Sequence, residues 1–242
     1  MRIDAYFTVA EVDPTSIGDA TVVVIDVVRA TTTIIEALAN GARAIYPTST
    51  TEEAVKLAAS LGREDTLLCG ERKAHKIEGF DLGNSPLEFS AEVVHDKKLV
   101  MSTTNATRAL TAGQGATRIL PCAFTNLRAV AAAVSVDEWL VVICAGQGDQ
   151  FGLDDALCAG HLVQRIMKAE GGDVAHKLND AAQAARALAG FRKPTRKFLS
   201  ATAGGAALVE LGLGDDLDIC ADVDRHDVVA EMSDQAIIRS GE

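Results

Sequence analysis

The chain has 242 residues, a formal net charge of −11 and an isoelectric point near 4.9, so nucleic acid and anionic membranes are not expected partners. Apolar residues make up 48% of the chain and aromatic residues only 4%, which favours an aliphatic interior with helices packed on a buried sheet. No apolar run is long enough to cross a bilayer, and the five cysteines lack metal-site spacing, which indicates a reduced, cytoplasmic protein.

Short apolar runs alternate with helical patterns along most of the chain. The predicted strands are RIDAYFTVA (2–10), TVVVIDVV (21–28), ARAIYP (42–47), DTLLCG (65–70), KKLVMS (97–102), ATRILP (116–121) and EWLVVICAG (138–146). The predicted helices are IIEALANG (34–41), AVKLAASLG (54–62), TRALTAG (107–113), TNLRAVAAAV (125–134) and LDDALCAGHLVQRIMKA (153–169), and the C-terminal third is mainly helical. This alternation predicts an α/β fold with a mainly parallel sheet, as one domain (1–242) or as lobes 1–135 and 136–242 with the site between them.

An internal repeat links two parts of the chain. Residues 26–31, DVVRAT, align with residues 102–107, STTNAT, and residues 41–47 align with 115–121 after a two-residue deletion. Both copies have the order strand, polar loop, helix, strand and proline. The repeat therefore predicts two related βαβ-type units whose polar loops occupy equivalent places.

Polar and charged side chains follow four of the predicted strands. In an open α/β sheet, ligands bind beyond the carboxyl ends of the strands. The residues gathered there are Asp26, Arg29, Thr31, Thr32 and Thr33; Glu71, Arg72, Asp81, Asn84 and Ser85; Ser102, Thr103, Thr104, Asn105 and Arg108; and Gly146, Gly148, Asp149, Asp154 and Asp155. Acids, arginines and hydroxyls of helix N-termini on one rim favour a divalent cation together with a phosphate-like anion.

Each of these groups also has an ordinary structural interpretation. Asp26 could cap a helix or pair with an arginine, although a charge in a buried strand is costly unless it is compensated. The hydroxyls of the two polar loops could be helix N-caps. Glu71 and Arg72 could form a solvated surface pair. Asp154 and Asp155 could stabilise the first turn of a helix through its dipole.

Six segments have the strings of a known enzyme family, in the family's order, from about residue 20 to 225. They are DVVRATTTIIEAL, GER at 70–72, GFDLGNSP at 79–86, STTNATRAL, CAGQGDQFGLDDALCAG and LGLGDDLDICADVD. Together they resemble the 2-phosphosulfolactate phosphatase family, the magnesium-dependent phosphatases of coenzyme M biosynthesis. Two positions depart from the family pattern: Ala106 replaces a usual glycine, and Asp154 replaces a usual glutamate, which shortens one metal ligand.

The resemblance implies a three-layer α/β/α fold with a mixed sheet, and Mg²⁺-dependent hydrolysis of (R)-2-phospho-3-sulfolactate to (R)-3-sulfolactate and phosphate. In this hypothesis the metal ligands are Asp26 and Glu71, with Asp155 or Asp154. Arg29, Arg72 and Arg108 would neutralise charge on the transferring phosphoryl group or on the sulfonate, with Asp81 or one of the paired acids as general base for water. The groups that bind substrate oxygens are Thr32, Thr33, Asn84, Ser85, Ser102, Thr103, Thr104, Asn105 and Gly146.

Two other functions remain compatible with the sequence. The same machinery could act on another small phosphorylated hydroxy acid, or the chain could be a non-catalytic binder of anionic metabolites. A pure anion binder gains nothing from a cluster of carboxylates, so Asp26, Glu71 and Asp155 argue against the second alternative. The expected partner in each case is a small anionic molecule, and a homodimer is the default oligomer.

Overall fold

The structure, a computed structural model, describes residues 1–169 and 177–241. Its strands are β1 (Arg2–Tyr6), β2 (Thr21–Ile25), β3 (Ala44–Thr48), β4 (Thr66–Arg72), β5 (His75–Lys76), β6 (Lys98–Ser102), β7 (Arg118–Cys122), β8 (Trp139–Cys144), β9 (Lys177–Leu178), β10 (Ala230–Ser233) and β11 (Ala236–Arg239). Its helices are α1 (Ala30–Ala39), α2 (Thr51–Leu61), α3 (Ala91–Val94), α4 (Ala106–Ala112), α5 (Leu127–Ala133), α6 (Leu153–Ala169), α7 (Asp180–Phe191), α8 (Arg196–Leu199), α9 (Ala203–Glu210) and α10 (Asp216–Cys220). In these described ranges, no helix is both long and apolar enough to cross a membrane.

The strands form two sheets. One sheet is entirely parallel, with the order β7-β2-β8-β1-β9. The other has the order β10-β11-β3-β6-β4-β5, in which β3, β6 and β4 are parallel and the remaining pairs are antiparallel. The predicted α/β class with mainly parallel strands is confirmed. Because β8 lies between β1 and β2, residues on both sides of position 135 belong to the same sheet.

The apolar run of β2 is explained by burial on both of its faces. Successive side chains of a strand point to opposite faces, so a strand covered on both sides is apolar throughout. Val23 and Ile25 pack in the core that α6 and α7 cover. Val22 and Val24 pack in a second core, between the sheets, to which α1 and α4 contribute. Helix α2 covers the far face of the mixed sheet, so each sheet has helices on both faces, as in α/β/α layering.

Each of the two repeat units begins in one sheet and ends in the other. Unit β2–α1–β3 begins in the parallel sheet and ends in the mixed sheet, whereas unit β6–α4–β7 begins in the mixed sheet and ends in the parallel sheet. Strand β2 pairs in parallel with β7, and β3 pairs in parallel with β6, so each strand of one unit has a partner in the other. This arrangement brings the polar loops after β2 and β6 to one cavity.

Candidate active site

A cavity of about 410 Å³ lies at the carboxyl ends of β2, β4, β6 and β8. The residues predicted from the sequence that line it are Asp26, Arg29, Glu71, Asn84, Thr103, Thr104, Asn105, Gly146, Gly148, Asp154 and Asp155. The rule that ligands bind beyond the carboxyl ends of the strands therefore predicts where the cavity lies, even though its four strands belong to two sheets.

One wall of the cavity is apolar and was not predicted from the sequence. Its side chains come from the start of α6 and from α9, and they include Leu153, Ala207, Leu208 and Leu211. This segment of the chain has no unusual polar residue that would mark it as part of a site. The cavity is therefore two-sided, with charged groups at the strand ends and aliphatic groups opposite them.

Asp26 follows directly after β2 and is buried at the floor of the cavity. Its Oδ1 accepts a hydrogen bond from the backbone N–H of Ala30 at 3.2 Å, at the start of α1. The pKa of the Asp26 carboxyl is raised to about 7, mainly by burial and also by the negative charges of Asp154 and Glu71, against the opposing effects of the Ala30 hydrogen bond and of Arg29. A bound cation would remove this penalty by favouring the ionised carboxylate.

Two neighbouring acids at the start of α6 have different roles. Asp155 accepts hydrogen bonds from the N–H of Val27 at 2.8 Å and of Gly146 at 3.0 Å, so it joins the loops after β2 and β8. Burial, with the charges of Asp154 and Asp26, raises the pKa of the Asp155 carboxyl well above its usual value. Burial also raises the pKa of Asp154 to about 6. Within the described ranges Asp154 makes no such bonds to other loops, and it lines the cavity.

Glu71 joins two further loops at the cavity floor. Its Oε1 accepts from the N–H of Thr104 at 2.8 Å, and its Oε2 accepts from the N–H of Ala74 at 2.8 Å. Both carboxylate oxygens are therefore already bonded to backbone groups, and the side chain is buried. Glu71 fixes the position of the loop after β6 relative to the turn after β4.

The four acids predicted to bind a metal differ in how many hydrogen bonds they already accept. Among the described residues, no three His, Cys, Asp or Glu side chains form a metal cluster. Glu71 and Asp155 accept backbone N–H groups from other loops at both oxygens, whereas Asp26 accepts such a bond at Oδ1, so Asp26 and Asp154 are the pair favoured here for a cation. Mg²⁺ is commonly held by one or two carboxylates and completes its shell with waters and substrate phosphate oxygens, so this pair fits such an ion.

The amide of Asn84 supplies a second observation in favour of a ligand in the cavity. Asn84 is buried and lines the cavity, and its Oδ1 has no hydrogen-bond partner among the described residues. A buried amide oxygen without a partner costs free energy, about 1–3 kcal/mol, unless a water, a cation or a ligand satisfies it. The position of Asn84 therefore suits a site that is completed by a bound group.

Arg29 is held by a buried acid that sequence reasoning missed. Its Nη1 lies 2.7 Å from Oδ2 of Asp216, its Nη2 donates to the carbonyl of Ala74 at 3.0 Å, and both charged side chains are at most 3% exposed. The hydroxyl of Ser85 donates to the other oxygen of Asp216 at 2.5 Å. The peptide bond between Val28 and Arg29 is cis. The only sequence signal for Asp216 was its place in the segment LGLGDDLDICADVD.

Arg72 does not line the cavity. Glu71 and Arg72 are consecutive in β4, so their side chains point to opposite faces, and only Glu71 faces the cavity. Arg72 instead donates to the Ser102 hydroxyl at 2.9 Å and to the Ser102 carbonyl at 3.2 Å. Ser102 in turn donates to the carbonyl of Thr48 at 3.1 Å. The two residues join the ends of the strands of the mixed sheet.

Asp81 and Arg108 also lie outside the cavity. The carboxylate of Asp81 accepts from the N–H of Leu68 at 2.8 Å and lies 3.4 Å from the guanidinium of Arg63. Arg108 is half-exposed and pairs with Asp149 at 2.7 Å, near the rim. Neither side chain lines the cavity, and the roles predicted for Asp81 and Arg108 stay predictions.

The threonine hydroxyls of α1 stabilise the loops of the site from outside the cavity. Thr32 donates to the carbonyl of Val27 at 2.8 Å, and Thr33 donates to the carbonyl of Asn84 at 3.0 Å. Both side chains are fully buried. Like Ser85 and Ser102, they support the residues that line the cavity and do not themselves reach it.

Asn105 connects the loop after β6 to the glycine loop after β8. Its Oδ1 accepts from the N–H of Gly148 at 3.1 Å. Gly146 has a φ of +65° and Gly148 a φ of +66°, and a Cβ at Gly146 would lie 2.3 Å from the carbonyl oxygen of Gln150. The loop therefore requires glycine, and the Asn105 side chain fixes one of its N–H groups.

Replacing Asn105 by alanine is expected to raise the KM for the expected substrate, (R)-2-phospho-3-sulfolactate, by about tenfold. The same change is expected to leave the affinity for the expected Mg²⁺ ion largely unchanged. The reason is that the change frees the glycine loop while the Asp26 and Asp154 carboxylates stay in place. Steady-state kinetics would give KM, and calorimetric titration of the free protein would give the Mg²⁺ affinity. A loss of Mg²⁺ affinity as large as the rise in KM would contradict this division of roles.

Comparison with known proteins identifies the family. A family model described as 2-phosphosulpholactate phosphatase matches residues 6–235. The chain belongs to this family. The resemblance found in the sequence motifs is thereby confirmed, and it extends over nearly the whole chain.

Relatives called "Probable 2-phosphosulfolactate phosphatase" cover most of the chain. One from Clostridium novyi (strain NT) is 38% identical over 233 residues, which is 96% of this chain and 97% of the relative. One from Clostridium beijerinckii is 37% identical over 240 residues, 98% of this chain and 99% of the relative. One from Thermotoga petrophila is 38% identical over 213 residues, 88% of each.

Proposed function

We propose that the chain is a Mg²⁺-dependent phosphatase that hydrolyses (R)-2-phospho-3-sulfolactate to (R)-3-sulfolactate and phosphate. The observation that carries the proposal is the pair of buried carboxylates, Asp26 and Asp154, in a cavity of the size of a small ligand, where burial raises the pKa of both groups. Family membership and the names of the relatives support the reaction and the substrate.

In this proposal Mg²⁺ and the residues of the protein make different contributions to catalysis. Mg²⁺ bound by Asp26 and Asp154 would neutralise charge on the phosphoryl oxygens and polarise the phosphorus. Arg29 adds a fixed positive charge beside Asp26, and the buried Asp216 holds its guanidinium in place. Backbone groups at the start of α1 and in the loops at Thr103 and Gly146 surround the remaining oxygens. Because the transition state of phosphoryl transfer is loose, this positioning and charge stabilisation account for most of the catalysis, and Asp81 is not needed as a base.

A place in coenzyme M biosynthesis and a cytoplasmic location are part of the same proposal. The location is supported by the five cysteines, which are all free thiols and buried. Reduced thiols are typical of cytosolic proteins.

The deciding experiment measures phosphate release from (R)-2-phospho-3-sulfolactate with Mg²⁺ and with EDTA. We expect release only with Mg²⁺, and a lower kcat/KM for 2-phospholactate and 2-phosphoglycerate, which lack the sulfonate. Faster hydrolysis of an unsulfonated ester would instead identify a phosphatase for another hydroxy acid. Binding of these esters in EDTA without phosphate release under either condition would identify a non-catalytic binder.

A further inference from the structure

The turn between β4 and β5 has an unfavourable backbone for its two residues. Arg72 pairs with His75, so Lys73 and Ala74 form a two-residue hairpin loop, and their φ values are +54° and +65°. Such loops strongly favour Asn and Gly because both positions need a left-handed backbone. Lys73 and Ala74 are not residues that this turn conformation favours. Their presence therefore indicates a role outside the turn, in contacts with the surrounding structure.

The contacts of the turn fix it against the cavity floor. The N–H of Ala74 donates to Glu71 at 2.8 Å, and the carbonyl of Ala74 accepts from Arg29 at 3.0 Å. Both Lys73 and Ala74 line the cavity, and Lys73 is exposed at its mouth. The backbone of the turn thus bonds to residues on the cavity floor while the lysine side chain stays at the entrance.

Lys73 is also the basic residue that lacks a counter-charge among those lining the cavity in the described parts of the chain. The basic residues lining the cavity, among the described parts of the chain, are Arg29 and Lys73. Arg29 is buried and paired with Asp216. Lys73 has no ion-pair partner within the described ranges, whereas Arg108 at the rim is paired with Asp149. Its ammonium is therefore free to bind an incoming anion.

We propose that Lys73 binds the sulfonate of the substrate and thereby selects sulfonated over unsulfonated phosphate esters. The inference rests on the proposed function, and it assigns one group of that substrate to one side chain. The phosphoryl group must reach the buried acids Asp26 and Asp154. The sulfonate is carried on the neighbouring carbon, one bond farther from the ester oxygen than the carboxylate is. In the proposed orientation this longer reach takes the sulfonate towards the exposed Lys73.

The test compares Lys73→Asn with the wild type on (R)-2-phospho-3-sulfolactate and on 2-phospholactate. Asparagine removes the charge and tolerates a left-handed backbone better than lysine does. We expect KM for the sulfonated ester to rise by about tenfold with kcat little changed, and KM for 2-phospholactate to stay the same. The temperature of unfolding should not fall. Lys73→Arg, which keeps the charge, should retain most of the affinity for the sulfonated ester.

The matched control is Lys76→Asn, which removes a lysine from the next strand. The Lys76 ammonium donates to the carbonyl of Asp81 at 2.8 Å and does not line the cavity, so neither KM should change. An equal rise in KM for both esters in Lys73→Asn would overturn the assignment to the sulfonate, as would no change in either. If the wild type releases phosphate from neither ester, the proposed function fails and the inference fails with it.

Discussion

Replacing Asp26 by asparagine is expected to lower kcat/KM for phosphate release by about 10³-fold, because the change removes a carboxylate that holds the metal at the phosphoryl group. The geometry of the loop should persist, since the asparagine Oδ1 can still accept from the N–H of Ala30. Mg²⁺ titrations should show weakened binding in the same variant. Near-normal Mg²⁺-dependent turnover would contradict the assignment of Asp26.

The same substitution should stabilise the metal-free protein, by an amount that depends on pH. The pKa of Asp26 is raised from 3.8 to about 7 on folding, mainly by burial, so the folded state keeps a proton that the unfolded chain loses. The stability due to the protonated carboxyl is complete below about pH 4 and is lost as the pH rises to about 7. Near pH 8 the variant should therefore be more stable by about 2–4 kcal/mol.

Thermal unfolding in EDTA at several values between pH 4 and pH 8 would measure this effect. The melting temperature of Asp26→Asn should exceed that of the wild type by several degrees near pH 8 and by little near pH 4. Saturating Mg²⁺ should restore the stability of the wild type at high pH and leave the variant unchanged. A difference in melting temperature that does not vary with pH would show that the Asp26 carboxyl is not the cause.

The largest loss of stability is expected from Asp216→Asn. This change leaves the buried Arg29 guanidinium without a negative partner, and breaking one side of a buried ion pair typically costs about 3–5 kcal/mol. The free energy of unfolding, measured in urea, should fall by this amount. Activity should fall as well, because Arg29 would no longer be held beside Asp26.

The neighbouring acid provides a matched control. Asp215 pairs with Arg196 at 3.2 Å on the surface and has an 84% exposed side chain, so Asp215→Asn should cost at most about 1 kcal/mol. Replacing both Arg29 and Asp216 by leucine should cost less stability than Asp216→Asn alone, since neither charge of this ion pair is left buried without its partner. If Asp215→Asn and Asp216→Asn lowered the free energy of unfolding equally, the buried pair of Arg29 and Asp216 would contribute no more to stability than a surface ion pair.

The position of the site was readable from the sequence because it depends on strand ends. Each of the four strand ends supplies a residue to the cavity, either from the strand itself or from the loop or helix start that follows it: Asp26, Glu71, Asn105 and Asp154 are examples. The apolar run TVVVI identifies β2, and Asp26 follows its last residue. The same local reasoning applies to the other three strands.

The directions of individual side chains and the partners of residues far apart in the chain could not be predicted from the local sequence. Glu71 and Arg72 are adjacent in sequence, and only strand alternation decides which of them faces the cavity. The division of the strands into two sheets depends on long-range pairing that no local pattern encodes. Asp216 follows Arg29 by 187 residues, and an acid in the first turn of a helix is too common to indicate a special role.

The central place of β8 has a consequence for synthesis of the chain. Strands β1 and β2 are made first, but both pair with β8, which follows more than a hundred residues later. Until residues 139–144 leave the ribosome, the edges of β1 and β2 that β8 will occupy have no partner, and apolar strand edges are prone to associate with other chains. During synthesis this parallel sheet can therefore be completed only after β8 is made, and truncations that end before β8 should yield aggregates rather than a smaller folded domain.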